Sequence, residues 1–454
     1  MEKWEFPRDH LLCLYKIEVR PDSSVPNAAR KIAAYASTGL KAGTETSERF
    51  SAKVISRHQL TDTSGIVIIA YPIETFDLET GGIASILSVI SGWNVSISDI
   101  VNVRICDIFL PEKIVSKFPG PQIGQEEINR RLGVKRKECY LHVPVYPRLG
   151  ANIEDYGKTL CSLLEKGPLV GPDIIADSEL LFNPNYCSVR RRIALMQTKN
   201  KELIEKASLI KDKLDTLGCK TLFFVNVTGT PTKAVEHATL VKDAGLDGII
   251  VNALTTGFPL LEELRKKFPE LIIYAHANMH AIFTRGQRNG MNFEVLIRLF
   301  KLAGADIIYT GAPYGSLDLT GSLVQHVANI QKYNSIVRSR SGNLQPAIPC
   351  IGGGINLGNL EVNLKLAGIP LEVVVGGGIY NYPKSLTYTI KLLKKAIICI
   401  TLLNRTMWSD KELLKNRQEC TEYFRENYVD PTEPRNEELR DVLQKFSLLR
   451  LREG

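Results

Sequence analysis

Two runs of three glycines have the composition and the position of a phosphate-binding site. Each run directly follows a short apolar segment that is typical of a β-strand. Because glycine has no side chain, the backbone N–H groups of such loops can approach an anion closely, and an adjoining helix adds the positive end of its dipole. The glycines could instead only close tight turns, but the occurrence of the same triplet twice favours phosphate binding. The residues are Gly352, Gly353, Gly354, Gly376, Gly377 and Gly378.

Two histidines stand in segment 274–280, at the end of another strand-like run. His276 is placed at the predicted end of the strand and is our candidate for proton transfer, because imidazole changes its charge near neutral pH. His280 follows one helical turn later and is predicted to cap a helix or to pack. The pair could also bind a metal ion, but the segment lacks the intervening glutamate that a zinc-protease motif requires.

Acidic and basic side chains follow two other strand-like runs. Asp177 and Glu179 are two residues apart, a spacing that suits a hard divalent cation or an acid/base pair. A helix N-terminus that is enriched in acidic residues is the alternative. Arg148 could bind a carboxylate or a phosphate through two hydrogen bonds, although exposed arginines without such a role are also common.

The elements that must position these residues form a repeating pattern. Eight short β-branched runs alternate with helix-compatible stretches, whose apolar residues recur every three to four positions. Eight such units in about 260 residues predict a (β/α)₈ barrel over 139–403, with its reacting groups at the C-terminal ends of the strands. The runs are 139–146, 174–177, 221–227, 248–254, 271–277, 306–312, 347–352 and 372–375, and the helical stretches include 201–217, 231–244, 293–303 and 385–402.

The remaining segments differ in character from the barrel. Residues 1–125 contain strand-like pieces around two helices, near 27–37 and 83–91, and predict a separate α+β domain of ferredoxin-like type. Residues 126–138 belong to a stretch that is rich in proline, glycine and charge, and we predict a linker there. Residues 404–454 are strongly charged and are predicted to form a C-terminal helical extension.

The composition excludes several classes of protein. With 454 residues, 44% apolar and 23% charged, the chain does not fit a disordered, collagenous or membrane class. The net charge of +8 is spread along the chain and gives little support to a nucleic-acid partner. Nine scattered cysteines without a C-x-x-C spacing, and the lack of an apolar leader or spanning segment, predict a reduced cytoplasmic protein without membrane contact.

Short motifs are spread over most of the chain in a defined order. They are Ser-Thr-Gly at 37–39, Phe-Pro-Gly-Pro at 118–121, Asn-Val-Thr-Gly at 226–229, Leu-Thr-Thr-Gly-Phe at 254–258, Met-His-Ala at 279–281 and Asn-Gly-Met at 289–291, besides the glycine triplets. In these motifs and their spacing the chain resembles the ribulose-bisphosphate carboxylase (RuBisCO) large-chain superfamily, and within it the divergent RuBisCO-like proteins of form IV type.

The departures from the family pattern imply that the carboxylase reaction is lost. The carboxylases hold Mg²⁺ with a carbamylated lysine, an aspartate and a glutamate. Here the first two positions are Ala176 and Ser178, which leaves Glu179 and the neighbouring Asp177 as incomplete metal ligands; no nucleotide cofactor is implied. Tyr146, Ala277, Tyr309, Ser316 and Gly352 replace a lysine, an arginine, a histidine, a lysine and a serine of the family site, while Tyr35, Trp93, Leu40 and Lys41 mark changes in the N-terminal domain.

The residues that remain imply chemistry on a smaller molecule. The resemblance implies an enzyme that acts on a phosphorylated ketose or keto sugar acid by enolisation-type chemistry, as an isomerase, enolase, decarboxylase or C–C hydrolase. His276 or Asp177 would transfer protons, and Arg148 and Asn226 would stabilise the enolate.

The family pattern leaves an alternative and implies a partner. The alternative is a catalytically inactive barrel that binds a phosphorylated ligand and has a regulatory or structural role. The expected partner is a second copy of the chain, in a homodimer or an oligomer of dimers. In that arrangement Thr38 and Lys41 would lie near the phosphate in the neighbouring subunit's site.

Overall fold

The computed structural model describes residues 8–39, 45–165, 167, 171–208, 220–315, 321–382 and 385–403. Lys41, Ser316 and the predicted C-terminal extension 404–454 lie outside the described residues. The strands are β1 His10–Val19, β2 Lys53–Thr61, β3 Ser64–Pro72, β4 Ile100–Phe109, β5 Cys139–Pro144, β6 Ile174–Ala176, β7 Leu222–Asn226, β8 Gly248–Val251, β9 Ile272–Ala275, β10 Gly290–Met291, β11 Ile307–Tyr309, β12 Ile348–Ile351 and β13 Leu371–Val374.

The α-helices described by the structure range from single turns to five turns. They are α1 Val25–Tyr35, α2 Glu45–Phe50, α3 Gly82–Ile90, α4 Glu112–Val115, α5 Gln125–Leu132, α6 Ile153–Leu164, α7 Val189–Ser208, α8 Pro231–Asp243, α9 Ala253–Thr256, α10 Phe258–Lys267, α11 His280–Thr284, α12 Phe293–Ala303, α13 Leu323–Arg338, α14 Leu360–Ala367, α15 Gly377–Tyr380 and α16 Leu386–Leu403. Short 3₁₀ turns occupy Ile73–Thr75, Trp93–Val95 and Asn185–Cys187.

The N-terminal domain is an α+β sandwich, as predicted. Its strands β1 to β4 form an antiparallel sheet in the order β4-β1-β3-β2, with α1 and α3 as its main connecting helices. This β-α-β-β-α-β succession is the ferredoxin-like arrangement. Along β1 every second residue is buried from Leu11 to Val19, because one face of the sheet packs on the helices.

The eight predicted barrel strands are confirmed as a closed barrel. β5 to β9 and β11 to β13 pair in chain order, all parallel, and β13 closes on β5. Nearly every strand residue is buried, because side chains fill the interior and helices cover the outside. The predicted helix 201–217 differs most: α7 begins at Val189, and 209–219 lie outside the described residues.

The segment that we predicted as a linker is a folded helix. α5 buries Ile128 and Leu132 completely or nearly so. Asn129 accepts a hydrogen bond from the Tyr140 hydroxyl at 2.9 Å and donates one to the Lys137 carbonyl at 3.1 Å. Charged residues on its outer face explain why composition alone suggested an open connection.

One barrel loop also completes the N-terminal sheet. β10 pairs in parallel with β4, and Arg104 of β4 donates to the carbonyl oxygens of Thr284 at 2.7 Å and Met291 at 3.0 Å. Arg104 also donates to the Asn292 side chain at 2.7 Å. The loop behind β9 is therefore anchored to the first domain.

Buried ion pairs close the N-terminal end of the barrel. Asp306 accepts hydrogen bonds from the backbone N–H groups of Ile123 and Ile273, each at 2.8 Å, and forms a fully buried pair with Arg265. Asp173 accepts from the N–H of Leu141 at 2.9 Å and pairs with Lys137 at 2.6 Å. Each carboxylate thereby ties one strand to its neighbours.

Candidate functional site

A cavity of about 1000 Å³ lies at the opposite end, where the C-terminal ends of the barrel strands meet. Its walls combine predicted site residues from five different strand ends. A barrel with its reacting groups at the C-terminal ends of the strands predicts this convergence. The predicted residues that line it are Arg148, Glu179, His276, Gly353, Gly354, Gly376, Gly377 and Gly378.

The first glycine loop, behind β12, has a backbone that only glycine adopts easily. Gly353 and Gly354 have φ angles of +87° and +96°. A Cβ atom on Gly353 would lie 2.8 Å from the Tyr309 hydroxyl oxygen, so a side chain there would also collide. The N–H groups of both glycines make no hydrogen bond within the described part of the chain. They remain available for an anion in the cavity.

Asparagines that the sequence analysis missed hold this loop in shape. The Asn359 amide donates to the Gly354 carbonyl at 3.0 Å, and its oxygen accepts from the N–H of Asn356 at 2.9 Å. The second loop packs against the first, since a side chain on Gly378 would collide with the Ile355 carbonyl. The asparagine-rich stretch 356–363 was the available signal.

Gly352 is not part of the cavity wall. Its carbonyl accepts a hydrogen bond from the Tyr309 hydroxyl at 2.9 Å, and its Cα faces Val374 and the Tyr309 ring. The predicted contribution of Gly352 to phosphate binding therefore reduces to shaping the turn into Gly353.

His276 follows β9 and lies half-buried in the cavity wall. Its ring stacks on Tyr309 with centroids 5.0 Å apart. Its Nδ1 atom accepts a hydrogen bond from the N–H of Asn278 at 3.1 Å. Since Nδ1 is an acceptor there, the neutral ring carries its proton on Nε2. His276 is thus suited to donate a hydrogen bond or a proton.

Arg148 and Glu179 form an ion pair across the loops behind β5 and β6. Their side chains are 3.3 Å apart, Arg148 52% and Glu179 19% exposed. The Glu179 carbonyl accepts hydrogen bonds from the amides of Asn226 at 3.0 Å and Asn252 at 2.7 Å. The backbone of Glu179 is therefore fixed from below, while its carboxylate reaches the cavity.

Asn226 and Asn252 position this loop and do not line the cavity. Asn226 is fully buried, and its oxygen accepts from the N–H of Thr228 at 3.0 Å. We predicted Asn226 as a group that stabilises an enolate, but its amide is already committed to the Ser178 and Glu179 carbonyls. Asn252, which follows β8 directly, has the same role and was missed because no motif marks it.

Asp177 lies away from the cavity, which corrects its predicted role. It is fully buried between the barrel and α6 and α7, where it pairs with Arg192 at 3.0 Å and accepts from the Tyr156 hydroxyl at 2.7 Å. It also accepts from the N–H of Asn226 at 2.9 Å. With all these partners in place, Asp177 supports the loop and is not placed to transfer protons or to bind a metal ion.

The side chains at the C-terminal end of the barrel do not fit the Mg²⁺ ion that the family resemblance implies. No cluster of three or more His, Cys, Asp or Glu side chains with metal-binding geometry exists among the described residues. Ala176 offers only a methyl group, and the Ser178 hydroxyl donates to Glu179 at 3.1 Å. One carboxylate that already pairs with Arg148 is a poor substitute for the several oxygen ligands that Mg²⁺ requires.

Of the two contacts predicted from the N-terminal domain for the partner's site, the structure describes Thr38. Thr38 lies in the turn after α1 and does not line the cavity of its own chain, and Lys41 is outside the described residues.

Among the described residues, no helix is both long enough and apolar enough to cross a bilayer.

Comparison with known proteins agrees with this architecture. The model of the ribulose bisphosphate carboxylase large chain N-terminal domain matches residues 2–114, and the model of its catalytic domain matches residues 134–426. The chain belongs to the ribulose bisphosphate carboxylase large-chain family. The family resemblance read from the motifs is thereby confirmed.

Relatives in this family are distant but span nearly the whole chain. The ribulose bisphosphate carboxylase of Archaeoglobus fulgidus is 27% identical over 418 residues, which cover 88% of this chain and 91% of the relative. That of Thermococcus kodakarensis is 26% identical over 409 residues and covers 86% and 88%. At this distance, individual site residues have room to differ.

Solved structures of the family share the fold. The octameric Rubisco of Pyrococcus horikoshii OT3 superposes with a TM-score of 0.78 at 25% identity, covering 95% of this chain and 96% of that chain. A dimeric archaeal Rubisco from Hyperthermus butylicus gives 0.77 at 23% identity and covers 99% and 98%. A rubisco-like protein from Burkholderia fungorum gives 0.75 at 16% identity and covers 90% and 99%.

Proposed function

We propose that the protein is a RuBisCO-like enzyme without carboxylase activity, which enolises a phosphorylated ketose or keto sugar acid. The reaction would belong to the isomerase, enolase, decarboxylase or C–C hydrolase type. The observation that carries the proposal is the single cavity in which His276, the Arg148–Glu179 pair and both glycine loops meet.

The proton transfers follow from the orientation of these groups. With the substrate phosphate held on the glycine loops, the Nε2–H of His276 donates to the carbonyl oxygen. Glu179 takes the proton from the adjacent carbon, whose C–H electron pair forms a C=C bond while the carbonyl π pair moves onto the oxygen, which gives an enolate. Arg148 stabilises the negative charge on that oxygen. In an isomerisation the proton returns from Glu179 to the former carbonyl carbon, and the hydroxyl on the adjacent carbon passes its proton to the enolate oxygen and becomes the new carbonyl.

The cavity wall near His276 supports a substrate with one phosphate. A second phosphate needs cationic or strong N–H donors, yet the wall near His276 includes Ala277, Tyr309 and Val374, with Gly352 beneath it, and no lysine or arginine of the described residues lines that side. Aromatic and aliphatic groups there favour the carbon chain of a monophosphate over a bisphosphate.

The mechanism proceeds without a metal ion or a nucleotide cofactor. The lone carboxylate of Glu179, neutralised by Arg148, supports this part of the proposal. We also propose a homodimer, in which Thr38 and Lys41 approach the partner's site. Related Rubisco structures are described as dimeric and octameric, which supports the assembly.

The test is a thermal-shift screen with phosphorylated ketoses and sugar acids, each measured with excess Mg²⁺ and with EDTA. A ligand that binds only the native state raises the unfolding midpoint by mass action. We expect monophosphates to raise it equally in both conditions, and the hits are then assayed for turnover. Stabilisation that requires Mg²⁺ would overturn the metal-free site.

The same screen decides about the non-catalytic alternative. The exchanged residues Ala277 and Tyr309 favour that alternative, because each removes a polar group from the cavity wall. Tight binding of several monophosphates without loss, exchange or rearrangement of substrate protons, followed by NMR in D₂O, would assign the chain to ligand binding alone.

A further inference from the structure

Tyr146 lies in the cavity at the end of the first barrel strand and has no assigned role. Its ring stacks on Tyr380 with centroids 4.7 Å apart and planes only 4° from parallel. The Tyr380 hydroxyl donates to the Pro144 carbonyl at 2.9 Å and accepts from the N–H of Tyr146 at 3.3 Å. The ring of Tyr146 is therefore held in place from one side.

The hydroxyl of Tyr146 touches the second glycine loop. A Cβ atom on Gly376 would lie 2.6 Å from the hydroxyl oxygen, so the glycine is required for this close approach. The N–H of Gly377, at the start of α15, lies near enough to the same oxygen to lower the pKa of Tyr146. The hydroxyl hydrogen finds no acceptor among the described residues and can be donated to a ligand in the cavity.

The surroundings of the Tyr146 hydroxyl keep it protonated, so that it can donate a hydrogen bond. Burial raises the pKa of Tyr146, although the nearby guanidinium of Arg148 and the Gly377 N–H act in the opposite direction. The phenol therefore keeps its proton at neutral pH. Arg148 lies 5.8 Å from the centre of the ring and adds positive potential on the same side.

We propose that Tyr146 is a phosphate ligand, whose hydroxyl donates to an oxygen of a phosphate bound at the second glycine loop. The inference rests on the proposed phosphate site and adds a side-chain donor to it. A neutral hydroxyl beside the glycine N–H groups donates to a tetrahedral oxyanion. A phosphate bound to the Tyr146 hydroxyl would lie beside Arg148. The position of this hydroxyl would then direct the carbon chain of the substrate toward His276.

The experiment compares two phenylalanine variants of the full chain by calorimetric titration with inorganic phosphate. Tyr146→Phe keeps the stacked ring and removes only the hydroxyl in the cavity. Tyr380→Phe removes a hydroxyl from the same stack, but one that faces the Pro144 carbonyl and does not line the cavity. We expect Kd to rise about tenfold or more in Tyr146→Phe, as for a lost hydrogen bond to a charged group, and to change less than about twofold in Tyr380→Phe.

Each other outcome has a defined meaning. Unchanged or tighter phosphate binding by Tyr146→Phe would overturn the proposal and leave the glycine loops alone as the phosphate site. Absence of phosphate binding in the unmodified protein would overturn the phosphate site itself.

Discussion

At the N-terminal end of the barrel strands, Asp173 and Asp306 are buried and accept hydrogen bonds from backbone N–H groups and from cations. At the C-terminal end, His276 and the N–H groups of Gly353 and Gly354 face a large cavity. The two ends of the barrel show how structural polar groups can be told from functional ones. A group whose partners are all supplied by the protein holds the fold, whereas a group directed at a cavity is available to a ligand.

The same contrast exists within one loop. Asp177 and Glu179 are two residues apart, yet Asp177 is enclosed by Arg192 and Tyr156 while Glu179 reaches the cavity. Proximity to a strand end is therefore not sufficient for a role in chemistry. Three substitutions test the contrast between the two ends of the barrel.

The largest effect is expected at the cavity end. His276→Ala removes the proposed proton donor, and we expect turnover of the substrate found in the screen to fall about 10²–10⁴-fold. The unfolding midpoint should stay nearly unchanged, because the ring is only half-buried. The control is His280→Ala, which removes a ring that packs at a tilt against Phe293 with centroids 4.7 Å apart, and it should lose less than about tenfold. Equal losses in both variants would contradict the role of His276.

At the closed end the expected effect is on stability. Arg265→Ala leaves the buried Asp306 carboxylate without its cation, and the free energy of unfolding should fall by about 3–5 kcal/mol. Activity per folded molecule should not change. Denaturant titration measures the loss, and Lys267→Ala, which breaks an exposed pair with Glu263, serves as the control with no measurable change. A stable Arg265→Ala protein with impaired catalysis would reverse the comparison.

The smallest effect is expected on the free energy of unfolding at Asp247, which precedes β8 at the N-terminal end of the barrel. The fold disfavours the charged form of this carboxylate. Burial raises the pKa of Asp247 to about 6, above its ordinary value of about 3.9. Its stabilising contribution is therefore present below about pH 4 and is lost as the pH rises through about 6. Asp247→Asn keeps an oxygen for the Phe223 N–H, which donates at 3.0 Å.

For Asp247→Asn we expect a gain of about 2 kcal/mol in unfolding free energy at pH 7 and much less at pH 4. Denaturant titrations at the two pH values measure the difference between variant and unmodified protein. A variant whose stability runs parallel to that of the unmodified protein across this range would show that Asp247 carries no penalty.

The barrel and the cavity-facing residues were predictable because both depend on local order in the sequence. Each strand is a β-branched run, and Arg148, Glu179 and His276 come directly after such runs. The direction of Asp177 was not predictable, since it is set by Arg192 and Tyr156, which only the folded helices bring near. The local pattern of β4 is weak for a similar reason: its polar Arg104 is satisfied by a loop almost two hundred positions later.

The pairing of β10 with β4 also has a consequence for the synthesis of the chain. β4 ends at Phe109, but its partner strand Gly290–Met291 is made much later. At about 5–20 residues per second, the ribosome needs about 10–35 s to reach it, and during this time one edge of the first sheet is open. Open edges invite pairing with other chains. Protection of the first domain against self-association is thus timed by translation of the loop that follows His276.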